Sequence, residues 1–233
     1  RRFLDMEIGQ IRPVYLYDSV RYNRALKERN AYLKMERKQI DATFLDVLDS
    51  QLAEHGQKIS TERQNFIDKL EKLAQKIHAQ LTHGLEELQM NYKVNSTALL
   101  EDLKSARDKD IFRHQTSVGP HRDDLTFFVN GINVADFGSQ GQQRTVALSV
   151  KLAEIDLIFE ETGEYPILLL DDVMSELDNS RQLDLLETTL GKTQTFITTT
   201  TLDHLKNLPE NLSIFNVKQG EIETNGQERT TTD

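Results

Sequence analysis

The sequence predicts an α/β fold: a parallel sheet flanked by helices, with an inserted antiparallel helical-hairpin arm. Three observations predict it. Between Asp18 and Leu81 apolar side chains recur at helical spacings; residues 88–94 switch to strict alternation; and residues 142–200 read as helix, strand, helix, strand, an order that sets parallel strands side by side.

The first helix is expected from Asp18, a plausible N-cap, to about Ala53, a stretch without Pro or Gly in which Leu26, Leu33, Ile40 and Val47 repeat every seven residues. The companion row is weaker, since Asn30 and Arg37 interrupt it and only Phe44 obeys. "EHGQK" then reads as a loop. Thr61 and Gln64 form a capping-box pattern, and Phe66, Leu70, Leu73, Ile77 and Leu81 mark a second helix folding back on the first. A helix of roughly 35 residues is about 50 Å long, so the hairpin is expected to project as an arm.

In "LQMNYKVN" Leu88, Met90, Tyr92 and Val94 alternate with polar residues, which predicts a half-buried strand. A helix from Ser96 to about Phe112 follows, and "LTFFVNGINVADF" predicts a hairpin turning at Asn130-Gly131. Beyond it come a helix (142–161), a strand (167–171), a helix (179–190) and a strand (195–200). "ILLLDD" predicts a strand buried on both faces whose carboxyl end opens into a crevice, with Asp171 and Asp172 at the mouth.

Composition narrows the class. The 233 residues, 37% hydrophobic, suffice for one large or two smaller packed domains. The absence of cysteine excludes disulfides, thiolate zinc sites and cysteine nucleophiles, and fits a reducing cytoplasm. No apolar run approaches the roughly 20 residues of a membrane helix, and "RRFLDMEIGQ" lacks the apolar core of a signal peptide, so no membrane association is expected. The chain opens on Arg1, and we expect it to be internal to a longer one. Net charge is −10 but uneven: residues 1–40 carry ten Lys/Arg against five Asp/Glu, residues 111–233 nine against twenty. A basic stripe at the start suits phosphates, or is simply a solvated helix face.

Two motifs carry chemistry. "FGSQGQQRT" places Ser139, Gln140, Gly141 and Gln142 at the start of a helix, where unpaired N–H groups and the helix dipole favour an anion and a glycine lets it come close. "ILLLDDVMSELD" places Asp171 to hold Mg²⁺ and Asp172 to orient or deprotonate a water. Each motif also has a bland reading, an ordinary helix start and two flanking acids. The only Gly-Lys-Thr, Gly191-Lys192-Thr193, is no P-loop: position 186 is Leu and a helix precedes it, so Gly191 is read as a helix C-cap.

Read together, "VGPHRDDL", "SQGQQRT" and "PILLLDDVMSELD" resemble the second half of an ABC-type ATPase of the SMC-like group, and in detail the RecF family of bacterial recombinational-repair ATPases, over nearly the whole chain. The resemblance implies a signature motif at Ser139, Gln140, Gly141 and Gln142, a Walker B strand ending at Asp171 (metal) and Asp172 (catalytic), and a D-loop with Ser175 and Asp178. It also implies residues 1–17 as the end of an N-terminal ATPase lobe, 18–115 as the arm with a strand near 88–94, and 116–233 as the signature and Walker B part. Walker A would lie upstream of Arg1, leaving this chain inactive alone.

The implied function is an ATP-dependent homodimer binding double-stranded DNA or single-/double-strand junctions, hydrolysing ATP slowly, and acting with RecO and RecR to load RecA. Arg21, Arg24 and Arg29 are the expected phosphate contacts. A switch residue is expected among Thr198–Thr201, with Thr199 or Thr200 favoured; His121 and Arg122 face nucleotide or partner, or serve a buried structural salt bridge. A transporter-type cassette subunit and a non-enzymatic coiled-coil module remain as alternatives from residues alone.

Overall fold

The computed structural model describes residues 1–171, 173, 182, 185, 188–189, 191–200 and 213–224. Helices α1 (Arg2–Ile11), α2 (Pro13–Tyr32) and α3 (Ala42–Leu81) lead into β1 (Leu88–Lys93), α4 (Leu99–Ser105) and α5 (Arg107–Arg113). Then come β2 (Asp124–Val129), β3 (Ile132–Asn133), α6 (Val134–Phe137), α7 (Gln140–Thr162), β4 (Leu168–Leu170), β5 (Thr195–Ile197), β6 (Phe215–Lys218) and β7 (Glu221–Thr224).

The helical hairpin exists, but its turn is not at "EHGQK". Helix α2 stops at Tyr32, and α3 begins after Asp41, whose carboxylate caps it by accepting from the Thr43 amide at 2.6 Å. The Tyr32 hydroxyl accepts from the Asp41 amide at 2.7 Å and its ring meets Phe44 edge-on, closing the corner. From there α3 runs unbroken for 40 residues, about 60 Å at 1.5 Å per residue. Gly56 lies inside it because the chain packs too closely there for a side chain: a Cβ would stand 2.5 Å from Leu99 Cδ2 and 3.0 Å from Tyr22 Cε2. The Thr61–Gln64 pattern is therefore mid-helix, and Asp18 is no cap but a buried acid in α2 that binds His55 of α3 at 2.8 Å.

Helix α3 is packed along its whole length. Its inward row, Leu45, Leu48, Leu52, Ile59, Phe66, Leu70, Ala74, Ile77 and Leu81, is buried from one end to the other. Helix α2 packs antiparallel along its first half, and α7 along its second.

Strand β1 alternates as the sequence requires, with Leu88, Met90 and Tyr92 buried, and pairs antiparallel with β2, Leu88 opposite Val129 and Lys93 opposite Asp124. The turn at Asn130-Gly131 has φ of 49° and 77°, as a two-residue hairpin loop demands. Strand β3 is only two residues long because Asn133 caps α6 instead, accepting from the Ala135 amide at 3.0 Å. The expected helix over 96–112 is two helices hinged at Ala106.

Strands β4 and β5, which follow α7 in the chain, pair in parallel, Leu168 with Thr195 and Leu170 with Ile197, in keeping with the α/β class predicted. Burial on both faces of β4 is not observed: Leu170 is buried but Ile167 and Leu169 are exposed. The helix expected over 179–190 lies almost wholly outside the described residues. No helix among the described residues is long and apolar enough to cross a membrane.

Candidate functional site

Helix α7 starts with a reciprocal cap. Ser139 Oγ accepts from the Gln142 amide at 3.2 Å, and Gln142 Oε1 accepts from the Ser139 amide at 3.1 Å. Ser139, Gln140 and Gly141 are exposed. A Cβ on Gly141 would meet nothing nearer than Ser139 Oγ at 3.9 Å, so no internal packing demands the glycine; the space it leaves is on the outside. Gln142, half-buried, and Gln143, exposed, bond back onto the fold. Gln142 Nε2 donates to Glu86 Oε1 at 3.0 Å, and Gln143 Nε2 donates to the carbonyls of Val134 and Gly138 at 3.2 and 3.3 Å. Of the four residues singled out in this motif, three present themselves to solvent and Gln142 holds the turn in shape.

Asp171 follows β4 at the carboxyl edge of the parallel pair and is exposed. Its Oδ1 accepts from Thr198 Oγ1 at 2.6 Å, while the Thr198 amide donates to Leu170 O at 2.9 Å. Thr198, one of the expected switch threonines, is thus bonded to the acid. A single exposed carboxylate at a strand end fits Mg²⁺, which takes one or two carboxylates and completes its shell with water and phosphate oxygens. Asp172, Ser175, Asp178 and Thr201 lie outside the described residues. The Gly-Lys-Thr triplet is no phosphate loop here: Gly191 has φ of 76°, and Lys192 is tied to Asp156 of α7 at 3.0 Å.

The "GPHRDD" segment is partly built into the interior: Gly119, Pro120 and Asp123 are buried and His121 half-buried, while Arg122 is exposed and donates to the Thr116 carbonyl at 3.2 Å instead of forming the expected buried salt bridge. Asp123, fully buried, accepts from the Asn95 amide at 2.7 Å, Tyr92 at 2.5 Å and Ser60 at 3.2 Å, with Arg63 at 3.6 Å. His121 Nε2 donates to the Thr116 carbonyl at 3.1 Å, which leaves Nδ1 to accept from the Tyr22 hydroxyl at 2.6 Å. Burial lowers the His121 pKa, and the neighbouring Arg122 charge lowers it further. This neutral, locked imidazole is a structural member, with Gly119 (φ 125°) making room for the Tyr22 hydroxyl.

The basic residues divide. Arg21 and Arg24 are exposed on α2, Arg21 over the Tyr17 ring at 5.2 Å and Arg24 paired with Glu28 at 2.9 Å. Arg29 is withdrawn from the DNA-contact set: it is fully buried, donating to Asp49 at 2.6 Å, Asp110 at 2.7 Å and Thr116 at 3.0 Å. Sequence reasoning missed that role, although Arg29 continues the inward row Tyr15, Asp18, Tyr22 and Ala25 at helical spacing. It also missed Glu86 and His78, whose link to α7 is tertiary and leaves no trace in local pattern.

No protein-family model matches the chain. It is 77% identical over 224 residues to the DNA replication and repair protein RecF of Lactococcus lactis subsp. lactis, an alignment covering 96% of this chain and 63% of that protein. The RecF of Enterococcus faecalis is 54% identical over 241 residues, covering 97% and 64%. Among solved structures, that of the recombination mediator protein RecF-ATPrS in the RecFOR pathway superposes with a TM-score of 0.81 at 33% identity, covering 96% of this chain and 62% of that one; its RecF-ATP counterpart gives 0.80. The chain spans about 63% of the length of the curated relatives it matches. With 77% identity across 96% of its residues, and with the ABC-type ATPase fold in common, the chain is similar to RecF proteins over nearly its whole length.

Proposed function

We propose that this chain forms part of an ATP-dependent DNA-binding protein of recombinational repair, a homodimer closed by ATP that works with RecO and RecR at gaps or junctions to load RecA. The exposed Ser139–Gly141 turn carries the reading: backbone donors at a helix start, with a glycine that no internal contact accounts for, suit the γ-phosphate of a nucleotide held by a second subunit. Asp171 supports it as the Mg²⁺ ligand, oriented by Thr198, and Asp172 is the proposed group that positions the attacking water, one methylene shorter than glutamate and so consistent with slow turnover. When bound, Mg²⁺ would neutralise phosphate charge. Ser175 and Asp178 complete the proposed nucleotide contacts. Arg21 and Arg24 are the proposed DNA contacts. The Walker A lobe is proposed to belong to the remaining length of the relatives, so that this chain alone neither binds ATP tightly nor hydrolyses it.

The test uses the complete protein. Sedimentation with and without ATP is expected to show a nucleotide-dependent dimer that Ser139→Ala weakens and Asp171→Asn abolishes, with DNA binding lost in parallel. Wild-type dimerisation by both variants at the same ATP concentration overturns the reading.

A further inference from the structure

Two side-chain ladders run from the far end of α3 into the first turns of α7. In the first, His78, fully buried in the last turn of α3, bonds through Nδ1 to Ser149 Oγ at 3.0 Å. Ser149 Oγ donates to the Thr145 carbonyl at 2.7 Å, and Thr145 Oγ1 donates to the Gly141 carbonyl at 2.8 Å. In the second, Glu86, in the link between α3 and β1, holds Gln142 through Oε1 at 3.0 Å, and Gln142 holds the Ser139 amide. The two ladders touch at their base, where His78 Nε2 stands 3.3 Å from Glu86 Oε2. Both end on the Ser139–Gln142 turn, one on its first amide and the other on its third carbonyl.

The arrangement is more than a cap needs. Ser139 alone satisfies the Gln142 amide, and an isolated capping box would leave the glutamine amide group in water. Here that group is fixed by a carboxylate only one-fifth exposed, and a hydrogen bond to a charged partner is among the stronger kinds. The negative charge also lies at the positive end of a 23-residue helix, the sign the dipole favours.

We propose that Glu86 is a positioning residue for the Ser139–Gly141 turn. It acts through Gln142, with His78 behind it, and so makes the geometry of the nucleotide-facing motif depend on where the long helix α3 ends. The inference rests on the reading of that turn as the contact made to ATP across a dimer.

The test compares variants of the complete protein by the ATP concentration giving half-maximal dimerisation, and by ATP affinity at protein concentrations too low for dimers. Glu86→Ala is expected to raise the former about ten-fold, the loss of one hydrogen bond to a charged group, and to leave the latter unchanged. Glu86→Gln, which keeps an oxygen for Gln142, is expected to restore most of the loss. Adding Gln142→Ala to Glu86→Ala is expected to cost less than Gln142→Ala does alone, since the Glu86 contact is then already lost and only the bond to the Ser139 amide remains to break. Should Glu86→Ala fail to fold, Gln142→Glu, which keeps an acceptor for the Ser139 amide and removes the donor to Glu86, breaks the contact from its other side and is read in its place. If Glu86→Ala dimerises at the wild-type ATP concentration while Ser139→Ala does not, the positioning role is overturned and the ATP reading stands. If Ser139→Ala also dimerises normally, the ATP reading falls and this inference with it.

Discussion

Arg29 Nε and Asp49 Oδ1 meet at 2.6 Å with both side chains fully buried, so the corner between α2 and α3 is closed by charge and not only by apolar packing. Asp110, equally buried, takes the other arm of the guanidinium at 2.7 Å, and Arg107 approaches Asp49 from α5 at 2.7 Å. One cation thereby ties α2 to α3 and to α5. Arg29→Met leaves Asp110 buried beside a thioether, and a broken buried pair typically costs about 3–5 kcal/mol. Arg29→Lys is expected to recover little, since a single ammonium cannot span two carboxylates and Thr116. Arg21→Ala, on the exposed face, is expected to stay within about 0.5 kcal/mol of wild type. Urea denaturation separates the three; equal midpoints for Arg29→Met and wild type would refute the buried pair.

Gly56 supplies a second test. In an exposed helix Gly→Ala stabilises by roughly 1 kcal/mol. Here the new methyl would stand 2.5 Å from Leu99 Cδ2, 3.0 Å from Tyr22 Cε2 and 3.3 Å from Pro120 Cδ. Overpacking of a filled core costs about 1–3 kcal/mol, so Gly56→Ala is expected to lower the thermal midpoint despite the gain in propensity. A raised midpoint would mean that Leu99 and Tyr22 move aside freely.

These two residues show what the sequence reveals and where it misleads. Elements whose signal is local were legible: the alternation of Leu88, Met90 and Tyr92, the Asn130-Gly131 turn, and the Ser139 start of α7 all specify themselves within a few residues. The hairpin turn was misplaced because glycine in a sequence reads as a break, whereas Gly56 occupies a place in the inward row between Leu52 and Ile59, where backbone and neighbours touch. The true corner carries no glycine or proline, only an Asp41 cap whose partner is two residues on. Arg29 was misassigned for the complementary reason: charge in a basic stretch reads as surface, and the acids that hold it lie 20 and 81 residues away. In the candidate site the exposure of Ser139, Gly141 and Asp171 agrees with their places at a helix start and a strand end, while the contacts made by Glu86 and Thr198 are tertiary.

Glu154 makes stability depend on pH. Burial raises its carboxyl from the ordinary 4.5 to about 7; the hydrogen bond from Lys151 opposes the rise, and the Glu7 charge adds to it. The folded chain therefore keeps this proton at a pH where the unfolded chain has released it. Between about 4.5 and 7 the folded state binds more protons, so the contribution is full below that window and is lost as pH rises through it, by on the order of 2–3 kcal/mol. Glu154→Gln removes the titration. Denaturation at pH 5 and pH 8 is expected to show the variant losing less stability than wild type between the two and exceeding it at pH 8. Parallel losses would place the pH dependence elsewhere.

The exposed face of α2 makes the DNA proposal quantitative. Arg21 rests over Tyr17, which orders its side chain without neutralising it, while Arg24 shares its charge with Glu28. A phosphate contact releases counterions, so each one contributes about 0.9 to the slope of log affinity against log salt on duplex DNA. In the complete protein with ATP present, Arg21→Ala is expected to lower that slope by about 0.9 and to weaken binding to all duplex sequences alike. Arg24→Ala is expected to change it less, because Glu28 already occupies the guanidinium and repels an approaching phosphate. Glu28→Gln tests the reason for that ranking: it frees Arg24 and is expected to steepen the slope. An unchanged slope in all three variants would remove α2 from the DNA-binding surface and leave its positive charge as a solvated face.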